Sequence, residues 1–147
     1  MNRQQPHRAG ERGATLLEFV ITATVYFMML IGIVAISHLY FTHNALVEST
    51  RRGARYATFN LTSTDAQIKE VVVYGMSPPA AGAQPLVVGL TTDDVEVTRT
   101  NFGVAQGTVT VYIDGYQYNL VSPVISSLIT MPEYRTTLPG ESAGYMP

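Results

Sequence analysis

The 147 residues include no cysteine and no tryptophan. Without cysteine there is no disulfide and no thiolate metal site, so a domain exported from the cytoplasm must draw its stability from packing or from partner subunits. Nine tyrosines and five phenylalanines supply the aromatic bulk. Charge is scarce in places: Phe19 to Ile36 reads FVITATVYFMMLIGIVAI with no formal charge, and with histidine counted as neutral the uncharged stretch runs on to Val47. The net charge of −2 argues against nucleic acid as a partner. There is no phosphate-cradling glycine loop and no credible catalytic triad, and no constellation of residues points to an enzyme.

What is present begins with that apolar run. About 20 apolar residues of helix cross the ~30 Å hydrocarbon core of a bilayer, so it is long enough to span. Arg3, Arg8 and Arg12 precede it, with His7. Positive charge beside a first span holds that end in the cytoplasm, which places the bulk of the chain outside. A secretory signal peptide would have a shorter apolar core and a small-x-small cleavage site beyond it; Ser37-His38-Leu39-Tyr40-Phe41 is a poor one. Glu18 is the only acid between Arg12 and Glu48 and sits one turn inside the apolar helix. A carboxylate at the centre of a span costs roughly 2.5–3.5 kcal/mol on insertion scales and less near the interface. It either snorkels to the headgroups, alone or paired with Arg12, or serves a function.

The helical pattern outlasts the membrane. Residues 1–12 are polar, with Pro6 and Gly10, and are expected to be unstructured. A helix from Ala14 to about Phe59 would be roughly 67 Å long, more than twice a bilayer core, so its outer half needs cover from the rest of the domain or from another protein. Arg51 and Arg55 share a face at i and i+4 and could pair with acids of the sheet or of a partner, while Gly53 and Ala54 allow close approach of a packed element. Thr64-Asp65-Ala66-Gln67 has the form of a capping box opening a second helix with Ile68, Val71, Val72 and Met76 on its apolar face; Gly75 and Pro78-Pro79 end it. Residues 77–85 form a loop, and Leu86 to Leu90 is either extended or a buried connector. Val95 to Thr100 alternates as a half-buried strand, Asn101 to Gly107 is its turn, and Thr108 to Ile113 is its partner. Asp114-Gly115 reads as a tight turn or a bulge beyond which Tyr116-Gln117-Tyr118 can continue the strand. Val121 to Ile129, broken by Pro123, is ambiguous; Glu133 to Leu138 is a third strand, with a loose tail from Pro139. His38 and His43, five apart, do not share a face as a metal pair would. Asp93, Asp94 and Glu96 lack the spacing of a calcium loop and read as a solvated strand entry.

Arg12-Gly13-Ala14-Thr15-Leu16-Leu17-Glu18-Phe19, joined to a span, resembles the class III signal of type IV pilins and pseudopilins. Adding Thr50-Arg51-Arg52-Gly53-Ala54-Arg55-Tyr56-Ala57 narrows the resemblance to the TadE-like pseudopilins of tight-adherence (Tad/Flp) pilus systems, with Thr50 a minor departure where that family often has Ala. The resemblance implies a chain with a cytoplasmic leader (1–13), a long membrane and assembly helix (14–60) and a small extracytoplasmic α+β domain (61–147) with an antiparallel sheet of about three strands. It further implies cleavage by a prepilin peptidase between Gly13 and Ala14. Losing three Arg and one Glu with the leader would take the net charge from −2 to −4. Glu18, beside Phe19, would then attract the free amine of a neighbouring subunit. The implied setting is the inner (cytoplasmic) membrane, and the implied partners are that peptidase, the lipid bilayer, other pilin and pseudopilin subunits and inner-membrane pilus assembly proteins. No cofactor is implied. The competing reading is an unprocessed single-span anchor whose outer domain, facing the periplasm or exterior, binds a partner or ligand.

Overall fold

The computed structural model describes residues 9–60, 62–100, 107–121 and 126–139. All but the last residue of the expected turn from Asn101 to Gly107, the Pro123 break and the tail beyond Pro139 lie outside them. Helix α1 is Ala9–Phe59 and α2 is Asp65–Tyr74; a 3-10 turn at Thr92–Asp94 leads into β1 (Val95–Thr100), β2 (Thr108–Ile113), β3 (Gln117–Val121), β4 (Ser126–Thr130) and β5 (Tyr134–Pro139). The architecture is α+β, as the sequence pattern leads one to expect. The chain falls into two compact units, one up to Ser37 and one from His38 onward, and α1 contributes to both.

The first unit is apolar helix. Its large side chains are exposed, Leu16, Phe19, Val25 and Met29 by more than half, and none of its most apolar stretch is buried against protein. Its hydroxyls are quieted locally: Thr24 Oγ1 donates to the Val20 carbonyl at 2.7 Å and Ser37 Oγ to that of Ile33 at 2.8 Å, the i−4 back-bonding that lets Ser and Thr sit in hydrocarbon. One expectation is corrected here. Residues 9–12 are helical rather than unstructured, because extending an existing helix by one residue needs no new nucleus and Ala9, Glu11 and Arg12 cost it little.

The second unit is organised by the outer part of α1. Leu46, Ala54 and Ala57 of α1 meet Ile68, Val72 and Val73 of α2 and the inward row Val109, Val111 and Ile113 of β2, all fully buried. The capping box forms as its residues predict: Gln67 N donates to Thr64 Oγ1 at 3.3 Å and Thr64 N to Gln67 Oε1 at 3.0 Å. Gly75, at φ +81°, closes α2 in the left-handed conformation that glycine adopts without strain. Met76, expected on the apolar face, is half exposed because that turn has already left the helix. Leu86 to Leu90 is a connector with Val87 and Leu90 buried.

The sheet is antiparallel in the order β1-β2-β5, pairing Val95↔Ile113 and Ile113↔Tyr134 at one end. Tyr116-Gln117-Tyr118 does not continue β2. Gly115, at φ +71°, turns the chain, and Gln117 begins a separate antiparallel pair, β3-β4, in register Tyr118↔Ile129. Of the ambiguous stretch, Val121 ends β3 and residues from Ser126 to Ile129 fall in β4, so its described part belongs to a second, two-stranded sheet.

Candidate assembly helix and its supports

Gly13 and Ala14 are exposed on α1, and a Cβ placed on Gly13 would meet nothing within 4 Å. Ala14 and Glu18 are one turn apart and share a face. Glu18 is exposed, and the neighbouring Phe19 is 69% exposed. The first unit thus exposes a carboxylate beside a long, mostly apolar helical surface.

The basic segment divides by face. Gly53, Ala54, Ala57 and Thr58 are buried while Arg51 and Arg55 are exposed. A Cβ on Gly53 would overlap Val72 Cγ2 and touch Val111 Cγ1 and Ile68 Cγ2 at 3.5 and 3.6 Å. The hydroxyls on this buried face bond along their own helix: Ser49 Oγ to the Leu46 carbonyl at 2.9 Å, Thr50 Oγ1 to that of Val47 at 2.9 Å, and Thr58 Oγ1 to that of Arg55 at 2.8 Å. Small, self-satisfied side chains let α2 and β2 approach α1 closely. Arg52 is half-buried, its guanidinium beside Gly75 where α2 ends, so its charge complements the negative end of the α2 dipole.

Arg51 and Arg55 do not pair with the sheet. The ion pairs among the described residues are Arg99–Asp65 at 3.0 Å and Arg135–Glu133 at 2.7 Å. Arg51 instead borders a cleft of about 450 Å³ with Val47 and Thr50 on one side and Tyr134, Arg135 and Thr136 of β5 on the other. Across it, Thr50 Oγ1 bonds Thr136 Oγ1 at 3.0 Å.

Two histidine–tyrosine pairs, invisible to sequence spacing, tie α1 to the two sheets. His38 Nδ1 meets Tyr118 Oη on β3 at 2.5 Å, and His43 Nδ1 meets Tyr134 Oη on β5 at 2.9 Å with the rings edge-on at 5.2 Å. The partners lie 80 and 91 residues apart in the chain. Beside the second pair an apolar groove of about 350 Å³ runs between Leu39, Tyr40 and His43 and the Ile129–Pro132 segment. Tyr116 Oη donates to the Val88 carbonyl at 2.7 Å, pinning the connector. Burial raises the Tyr116 phenol above its ordinary pKa, helped by the charges of Tyr118, Asp94 and Tyr134; burial alone raises Tyr134. On the outer face of the sheet Tyr112 donates to Glu96 at 3.0 Å, which raises its pKa, and Arg135 stacks over the ring at 5.1 Å.

Among the described residues no three His, Asp or Glu side chains converge as metal ligands. The Asp94 carboxylate accepts from Thr91 N and Oγ1, both at 2.8 Å, and so caps the 3-10 turn. Residues 140–144 read Gly-Glu-Ser-Ala-Gly, the string of a nucleophile elbow. They lie outside the described residues, and such a string carries chemistry only on a strand-to-helix turn with its triad partners.

Residues 13–55 match the family model described as TadE-like protein. The matched stretch lies wholly within α1 and contains Glu18, Phe19, Arg51, Arg52 and Arg55. Neither the curated proteins nor the solved structures give a significant match to the chain. The TadE-like segment associates the chain with Tad pilus systems. Among the described residues one helix is long and apolar enough to cross a membrane, which fits a single-pass membrane protein.

Proposed function

We propose that the protein is a pseudopilin-like structural or assembly subunit of a tight-adherence type IV pilus or secretion system. It inserts in the inner membrane with its N-terminus inside and its second unit outside. A prepilin peptidase cuts after Gly13, and the chain is then drawn into an assembly with other pilin or pseudopilin subunits. Its work is structural rather than catalytic. The observation that carries this reading is the coincidence of the TadE-like match with an exposed apolar helical stretch in which Glu18, five residues after a glycine, is the only acid between Arg12 and Glu48.

Cleavage would free the amine of Ala14, and Glu18 of a neighbouring subunit would meet it. Two unit charges 4 Å apart attract by about 1 kcal/mol in water and about 4 kcal/mol at an effective dielectric constant of 20, so the pairing gains strength at the edge of hydrocarbon.

The test is the intact mass of the membrane-extracted protein expressed with its native machinery. A chain beginning at Ala14 supports processing. A full-length chain of 16.0 kDa under the same conditions refutes it and favours the unprocessed anchor.

A further inference from the structure

The three-stranded sheet has two outer strands. In the order β1-β2-β5, β1 and β5 each pair with β2 alone. Among the described residues no backbone group bonds the outer side of either strand. At β5 that side lines the cleft beside Arg51, which the five consecutive residues from Glu133 to Thr137 all border. Successive strand residues point to opposite faces, so a cleft that touches both sets runs along the strand's edge, where main-chain N–H and C=O groups look outward. At β1, Arg99 meets Asp65 and the Ser63 carbonyl from the inward row that it shares with Val109 and Leu138. Glu96, Thr98 and Thr100 are exposed on the other face.

The two edges complement each other. β1 and β5 are both antiparallel to β2, so they run in the same direction. A second copy set beside the first in the same orientation therefore brings its β1 against β5 as a parallel pair. The rows of the sheet then match in charge and chemistry. On the outer face Glu96, Tyr112 and Arg135 form one row, and Thr98, Thr110 and Thr137 form the next. Each row ends in a group suited to the start of its own repeat: arginine meets glutamate, and threonine meets threonine. Thr110 and Thr137 already bond across strands within the subunit at 2.9 Å. Arg135 holds Glu133 through Nε at 2.7 Å, and a guanidinium has further N–H donors for a second carboxylate.

We infer that the sheet continues from one copy of the chain into the next: the edge of β5 takes β1 of a neighbouring copy as a parallel strand, with Arg135 opposite the neighbour's Glu96 and Thr137 opposite its Thr98. Main-chain bonds along the edge hold the pair, and the matched rows fix its register. The contact joins two different edges, so it repeats from copy to copy and ends only if the rotation between copies closes a ring. The inference rests on the reading of the chain as a structural subunit and adds a lateral contact that involves neither Gly13 nor Glu18.

Because the chain has no cysteine, introduced thiols report without background. The full-length protein is expressed with its native machinery carrying Thr98→Cys, Thr137→Cys or both, each position being exposed, and the membranes are oxidised with copper phenanthroline. Within one chain β2 separates the two positions by about 10 Å, farther than a disulfide reaches, so any bond joins two copies. The expected result is dimers and higher species from the double variant, at roughly tenfold the yield of either single variant. Single variants that cross-link as well as the double one pair by a two-fold axis and overturn the inference. Equal yield with Thr100→Cys in place of Thr98→Cys overturns the register. Arg135→Glu should lower the yield by roughly fivefold, like charges then standing opposite each other, and Glu96→Arg added to it should restore the yield; no loss overturns the arginine–glutamate contact. The intact mass of the same chains is read in parallel. A chain that begins at Ala14 and gives no disulfide between 98 and 137 overturns the continued sheet and leaves the proposed function standing. That disulfide between chains that keep residues 1–13 supports the sheet and refutes processing.

Discussion

The close approach at Gly53 gives a measurable sign. Replacing glycine by alanine inside a helix ordinarily stabilises by about 0.8–1 kcal/mol through backbone entropy. At Gly53 the new methyl group would overlap Val72 Cγ2, and Val72 is a stiff, fully buried, β-branched side chain on α2 with Val111 and Ile68 behind it. Forcing an extra carbon into such packing costs roughly 1–3 kcal/mol. The expected net effect of Gly53→Ala is thus from near zero to about 2 kcal/mol destabilising, where propensity alone predicts a gain of about 1. The double-mutant cycle with Val72→Ala separates the two effects. Once Cγ2 is gone, Gly53→Ala should recover its stabilising sign, and the coupling should be about 1–3 kcal/mol, within the range found for residues in contact. The assay is urea unfolding in mild detergent followed by the near-ultraviolet dichroism of the tyrosines, which senses the second unit rather than the apolar helix. Gly32→Ala, where a Cβ meets nothing within 4 Å, controls for general effects on α1. If Gly53→Ala stabilises the parent chain by the full helix-propensity increment and shows no coupling to Val72, the packing described here is wrong.

Glu18→Ala is expected to leave membrane insertion intact and to lower incorporation into the assembly, measured as the ratio of assembled to membrane-bound protein; wild-type incorporation would refute the pairing role. Arg51→Glu with Arg55→Glu should shift stability by no more than about 0.5 kcal/mol, since both side chains are exposed, while reducing co-purification with partner subunits; unchanged co-purification would deny the arginines a role outside the domain. Tyr134→Phe removes the bond to His43 and is expected to cost about 1 kcal/mol, read as a lower urea midpoint at unchanged slope. Folding favours the neutral phenols of Tyr116 and Tyr134, whose pKa values are raised by burial. Their contribution is complete below pH about 10, the ordinary tyrosine value, and is lost as pH climbs through the raised folded values. Alkaline unfolding should therefore set in above pH about 10 and be shallower in Tyr116→Phe.

Sequence and structure agree most closely where the signal is local. The Thr64–Gln67 capping box, the Gly75 stop and the alternation of Val109, Val111 and Ile113 depend on residues within one or two turns of each other, and each forms as the pattern predicts. Agreement weakens where long-range contacts decide. The strands Gln117–Val121 and Ser126–Thr130 lack a clear alternation, and their pairing as a separate sheet follows the Gly115 turn and is closed by Met131 N donating to the Tyr116 carbonyl at 3.0 Å. The His38–Tyr118 and His43–Tyr134 pairs leave no periodic trace at all, because neither partner's neighbours announce the other.

The segment Arg51–Ala57 shows why a motif can be legible while its roles are not. As a string it is a single basic, small-residue block. The 3.6-residue period turns Gly53, Ala54 and Ala57 inward and Arg51 and Arg55 outward. The inward residues serve this chain's own core: the absence of a Cβ at Gly53 lets Val72 close on the helix. The outward arginines form no ion pair among the described residues, so their charge is available to another molecule. Within one segment the glycine and alanines are bound to folding while Arg51 and Arg55 stay exposed. Substitutions at positions two residues apart should consequently fail in different assays: Gly53→Ala in stability with the surface charge intact, and Arg51→Glu in partner binding with the fold intact.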